Sequence, residues 1–135
     1  MKKRIIDTDI LSFLIRGEAI ALKHAKEYLR VYPKLTFSII TYYEIKRGLL
    51  YRDAKRQLPM FERLAAKSEV IPLNVKIADI AASLYAQLRA KGRIVADADL
   101  LLAATAIALD AVFVTNNESH YEHIPGLVLE NWMKP

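Results

Sequence analysis

What most restricts the fold of this chain is a set of very short apolar runs, each separated from the next by a segment of helical length. Arg4-Ile5-Ile6 ends on Asp7, and Val112-Phe113-Val114 ends on Thr115-Asn116-Asn117. Leu35-Thr36-Phe37-Ser38-Ile39, Val70-Ile71-Pro72-Leu73 and Leu127-Val128-Leu129 supply three more extended stretches. Runs this short and apolar on both faces belong to strands covered from two sides, and covered strands alternating with helices give an α/β domain with a mostly parallel sheet. Four to five short strands flanked by helices are therefore expected, with ligands placed outside the carboxyl ends of the strands.

The helical segments follow from period. Ile10, Leu11, Phe13 and Leu14 make one apolar side that Gly17 closes, and Leu22, Ala25, Leu29 and Tyr32 make a second that Pro33 ends. Tyr42, Ile45 and Leu49 form a stripe between Thr41 and Leu50, and Leu58, Phe61 and Ala65 mark the next helix. Ile77, Ile80, Ala81, Leu84, Tyr85 and Leu88 recur at helical spacing up to the Lys91-Gly92 stop. From Asp99 to Leu109 the chain is almost wholly apolar, as a helix buried between layers requires.

A length of 135 residues with 53% hydrophobic content suits one domain, 1–135, with a true core. The absence of cysteine removes disulfides, thiolate nucleophiles and Cys-based zinc sites, and fits the cytoplasm. The basic start Met1-Lys2-Lys3-Arg4 is followed too soon by Asp7 and Asp9 for an export signal, and no run is long enough for a membrane span. A net charge of +5 suits a polyanionic partner. Lys46, Arg47 and Arg52, with Lys55 and Arg56 close behind, form the densest basic segment, readable either as a phosphate-tracking surface or as a solvated helix face.

Asp7, Glu44 and Asp99 are the candidate metal-binding acids, because hard divalent cations take oxygen ligands and relieve the repulsion among clustered carboxylates. Each has a local alternative. Thr41-x-x-Glu44 matches a capping box, as does Thr115-x-x-Glu118, and Asp97 suits the N-cap of the helix that carries Asp99. Asp7 gains nothing from packing after Ile5-Ile6, and an unpaired buried carboxylate is costly. Asn116 and Asn117 can form a turn or orient a water. His120 and His123 could share a helix face, yet three histidines without cysteine make a poor zinc site. Trp132 reads as a packing anchor.

Taken in order, Ile5-Ile6-Asp7-Thr8-Asp9-Ile10-Leu11-Ser12, Ser38-Ile39-Ile40-Thr41-Tyr42-Tyr43-Glu44, Asp97-Ala98-Asp99-Leu100, Val114-Thr115-Asn116-Asn117 and Ile124-Pro125-Gly126-Leu127 with Glu130-Asn131-Trp132 resemble the PIN-domain ribonucleases, and among them the VapC toxins. The resemblance spans essentially the whole chain. It implies a PIN-like three-layer fold and a Mg²⁺- or Mn²⁺-dependent endoribonuclease. Asp7 and Asp99 would be the principal metal ligands and Glu44 would hold or deprotonate the attacking water. Asn116 stands where members often carry a further acid. Asp97, Asp9, Thr115 and Asn117 are auxiliary candidates, with Asp9 replacing the Asn common in the family. The resemblance further implies a homodimer, a cognate VapB-type antitoxin that supplies DNA binding, and a structured RNA substrate such as a transfer RNA.

Two other functions compete. Asp7-Thr8-Asp9 is similar to the start of the haloacid dehalogenase phosphatases, but the order of Thr115 after Asp97 and Asp99 opposes that reading. A catalytically silent PIN module that binds RNA or protein by charge alone is the second.

Overall fold

The computed structural model describes residues 1–135. Five strands, β1 (Arg4–Ile6), β2 (Thr36–Ser38), β3 (Glu69–Ile71), β4 (Val112–Val114) and β5 (Leu129–Glu130), are interleaved with seven helices. The helices are α1 (Thr8–Ile15), α2 (Ala19–Leu29), α3 (Ile39–Tyr51), α4 (Gln57–Ala66), α5 (Val75–Ala90), α6 (Asp97–Ala108) and α7 (Glu118–Tyr121). Every strand pair is parallel: β1, β4 and β5 form one ladder with β4 in the middle, and β2 pairs with β3. The expected mostly parallel sheet is thus wholly parallel, and its hydrogen bonding is split into two parts. β2 runs beside β1, but the Arg4 backbone N–H donates to the Tyr28 hydroxyl at 3.1 Å instead of to a β2 carbonyl.

Strand alternation sorts the core into two halves. Ile6 and Val114 pack with residues of α1 to α4 and Trp132, whereas Ile5 and Phe113, their neighbours in sequence, pack with α5, α6 and α7. Successive side chains of a strand point to opposite faces, so two apolar residues in a row bind a helical layer on each side and produce three layers. α6 is apolar around its whole circumference, and six of its residues from Leu100 to Ala106 are buried.

Local sequence sets the ends. Gly92, at φ +73°, takes the left-handed turn that ends α5, and the Arg93 N–H bonds back to Leu88 O at 2.8 Å. α3 starts at Ile39, three residues earlier than the Thr41 capping box suggests, because the Ser38 hydroxyl accepts the Ile40 N–H at 3.0 Å. Ser38→Ala should lower stability by about 1 kcal/mol, measured as a shift in the urea midpoint at constant slope.

Register places the functional residues. Ile6 lies opposite Val114, and the Asp7 N–H continues the ladder by donating to Val114 O at 2.9 Å. The Thr115 N–H donates to Glu130 O at 2.9 Å. Asp7 and Thr115 therefore emerge side by side at the carboxyl edge of the sheet.

Candidate active site

Asp7 is buried and is the N-cap of α1, its Oδ1 accepting the Thr8 N–H at 2.7 Å. Its Oδ2 accepts from the buried Thr115 hydroxyl at 2.8 Å, which also accepts the Asn117 N–H at 3.0 Å. The Thr115 side chain therefore fixes Asp7 rather than forming a capping box with Glu118; α7 has no side-chain cap. Asp9, two residues on, accepts from the Ile10 N–H at 2.7 Å and from the Asn116 N–H at 3.0 Å, tying α1 to the loop after β4. The partner of that extra charge is backbone amide, not a basic side chain.

Glu44 does not cap α3. The Thr8 hydroxyl donates to its Oε1 at 2.7 Å and lies 3.1 Å from the Thr41 hydroxyl, so α1 and α3 are joined at this point by a hydroxyl–carboxylate relay. Asp99 lies in the first turn of α6. Asp97 is corrected from N-cap to first helical residue: Ala96 occupies the cap without any side-chain bond, and Asp97 is exposed. Asn116 is exposed, and its amide Oδ1 accepts from Asn131 Nδ2 at 3.1 Å, which links it to the C-terminal segment. Asn117 precedes α7 without capping it.

Two residues assigned no role at the acids turn out to hold Asp99. His120 Nε2 is 2.8 Å from Asp99 Oδ2, and the Tyr121 hydroxyl donates to Oδ1 at 3.1 Å. They lie 21 and 22 positions downstream, a separation with no local period to reveal it. Thr8, the other addition, follows Asp7 directly, and a hydroxyl at a strand-to-helix junction was the only available signal.

The electrostatics of this edge are unfavourable without a cation. Burial pushes the Asp7 carboxyl up to about 7, and the charges of Asp9 and Asp99 add to the effect against the bonds from Thr115 and Thr8. Asp9 is also raised, chiefly by burial. Tyr121 is held protonated by burial and by the charges of Asp7 and Asp99. No Lys or Arg is paired with Asp7, Asp9, Glu44 or Asp99; the sole ion-pair partner among the four is His120. No three acidic or histidine side chains close into a ready-made ligand cage. All-oxygen donors, uncompensated repulsion and an open set fit a Mg²⁺-like ion that keeps waters and takes further oxygens from a phosphate.

A groove of about 650 Å³ opens beside these acids, lined by Thr8, Asp9, Arg16, Glu44, Gly48 and Arg52 among others. Gly48 leaves room for the Arg52 side chain, whose Nη1 would lie 3.3 Å from a Cβ placed there. The basic segment is thereby divided. Arg52 faces the acidic groove, whereas Lys46 lies over Tyr42 and 3.6 Å from Glu62, and Arg47 lies over Tyr43, along a separate apolar groove with Ile39 and Leu50.

Comparison with known proteins decides the family. Residues 4–126 match the PIN domain. The chain belongs to the PIN-domain family. This PIN domain is 30% identical over 131 residues to ribonuclease VapC2 of Rickettsia felis, with 96% of this chain and 98% of the relative covered. It is 29% identical over 134 residues to the tRNA(fMet)-specific endonuclease VapC of Salmonella typhimurium, covering 98% and 99%. Among solved structures, VapBC2 from Rickettsia felis bound to a promoter DNA fragment matches with a TM-score of 0.88 at 26% identity over 96% of this chain and 98% of that one. DNA-bound VapBC from Salmonella typhimurium matches with a TM-score of 0.85 at 28% identity, over 98% and 99%. The PIN domain is thus a nuclease of the VapC group with the expected α/β fold. No helix in it is long and apolar enough to cross a membrane.

Proposed function

We propose that this PIN domain is the toxin of a type II toxin–antitoxin pair, a Mg²⁺- or Mn²⁺-dependent endoribonuclease acting on structured RNA such as a transfer RNA. The observation that carries the reading is the convergence of Asp7, Asp9, Asp99 and Glu44 at one sheet edge with no Lys or Arg to neutralise them. Asp7 and Asp99 would hold the cation, each already fixed by neighbours: Asp7 by Thr115 and Thr8, Asp99 by His120 and Tyr121. Each bonded carboxylate oxygen keeps a second lone pair for a ligand. When bound, the cation supplies positive charge to the phosphodiester oxygens and makes a water more acidic.

Glu44 has Oε1 held by Thr8, which leaves Oε2 to accept the proton of the attacking water. The water oxygen bonds to phosphorus and the bond from phosphorus to one ribose oxygen breaks, giving two RNA fragments. Arg16 and Arg52, along the groove that Glu44 lines, suit phosphates flanking the reacting one. Lys46 and Arg47 lie outside that groove and are assigned a subsidiary role in RNA contact. The reading includes a homodimer, and a VapB-type antitoxin through which the pair reaches DNA; the DNA-bound VapBC complexes among the structural relatives support the antitoxin part. A single domain working in the cytoplasm accords with it.

The test is cleavage of total tRNA by purified protein with Mg²⁺ or Mn²⁺. Discrete fragments that disappear with EDTA and with Asp99→Asn are expected. Intact RNA that is nevertheless bound, with or without metal, would replace the nuclease by a silent binding module.

A further inference from the structure

Apart from the groove that Arg16 and Arg52 line, there is a second recess, of about 320 Å³, between the loop that joins α5 to α6 and helix α7. Leu88, Val95 and Ile124 give it apolar walls, and Arg93, His120 and His123 stand along it. Arg93 is exposed and makes no ion pair, while His123 Nε2 lies 3.4 Å from Glu122 Oε1. Ile94, at its edge, is 76% exposed, unusual for so large an apolar side chain. The wall it shares with the acidic centre is a single side chain, His120, whose Nε2 is 2.8 Å from Asp99.

We propose that this recess is a nucleotide subsite, taking the base and the phosphate of an RNA residue next to the one cleaved. The proposal rests on the nuclease reading for the identity of the strand. Its volume is at the lower end of what small-ligand sites use, enough for one nucleotide. Apolar walls with histidine and arginine planes are the surface on which an unstacked base rests, and Arg93 supplies a charge for its phosphate. The occupant would touch His120 while its neighbour lay at Asp99, so one strand would pass from the acids to Arg93. Cations beside an acidic centre draw a polyanion over carboxylates that would otherwise repel it.

Anisotropy of a labelled single-stranded oligoribonucleotide in EDTA tests binding apart from chemistry. Arg93→Ala should weaken binding about tenfold, the loss of one charge-assisted contact, and flatten the slope of log affinity against log salt by about 0.7. Ile94→Glu, at an exposed position, should weaken it comparably. Lys67→Ala, which removes the same charge from the end of α4 outside both grooves, should stay within about twofold. In Mg²⁺ the Arg93→Ala protein should show a raised KM with kcat retained. Equal affinities for Arg93→Ala and Lys67→Ala, no binding of RNA by the unaltered protein, or an Arg93-dependent affinity for an oligoglutamate peptide but not for RNA would each overturn the subsite. Arg93-dependent RNA binding without any metal-dependent cleavage would instead uphold the subsite and remove the nuclease reading.

Discussion

Asp7→Asn is expected to abolish RNA cleavage and, at the same time, to make the metal-free protein more stable at neutral pH. The carboxyl titrates at about 7 in the folded protein against 3.8 when solvated, because it is buried and faces Asp9 and Asp99. A raised pKa means that the folded state binds this proton more tightly than the unfolded chain does. Its contribution is therefore fully present below about pH 4 and is lost as pH rises through 7, and above that the charge costs the fold on the order of 4 kcal/mol. Asparagine has no charge to bury and retains an acceptor for the Thr8 N–H, so melting temperatures of variant and parent should converge near pH 4 and separate by pH 8. Mg²⁺ should raise the melting temperature of the parent alone, by mass action on the folded state. A variant that melts below the parent at pH 8 would show that Asp7 is there for structure.

Phe113→Ala carries the second large effect. Phe113 is fully buried in the central strand β4 and meets the Tyr121 ring edge-on at a centroid distance of 4.9 Å. Its truncation removes the apolar link between sheet and α7 and leaves a cavity, for about 3–5 kcal/mol of destabilisation, a large share of what a domain of this size possesses. Urea unfolding gives the magnitude. Because Tyr121 donates to Asp99, the folded fraction should also bind Mn²⁺ more weakly, whereas Phe113→Leu should cost under about 2 kcal/mol and keep the metal affinity. A loss of stability with unchanged Mn²⁺ affinity would show that Asp99 does not depend on α7.

The paired apolar residues Ile5-Ile6 and Phe113-Val114 determine by themselves that the strands are covered on both faces, since alternation sends one of each pair to either layer. They also place Asp7 and Thr115 at strand ends, and the ordered motifs are enough to name the family. Capping was less readable. Thr41-x-x-Glu44, Thr115-x-x-Glu118 and Asp97 each match a local cap pattern, yet Ser38 caps α3, Thr115 bonds Asp7, and Asp97 caps nothing. A cap motif records what a side chain can reach within four residues, and a carboxylate or hydroxyl at the sheet edge has better partners from other elements. The parallel register decided that Asp7 and Thr115 meet, and the packing of α7 against β4 decided that His120 and Tyr121 reach Asp99. The fold of α3 divided Lys46 and Arg47 from Arg52 between two grooves, because residues five or six apart on a helix lie on different sides. Periodicity and composition determine which layer a residue enters; the partners of a polar side chain depend on distances between elements that only the assembled tertiary structure sets.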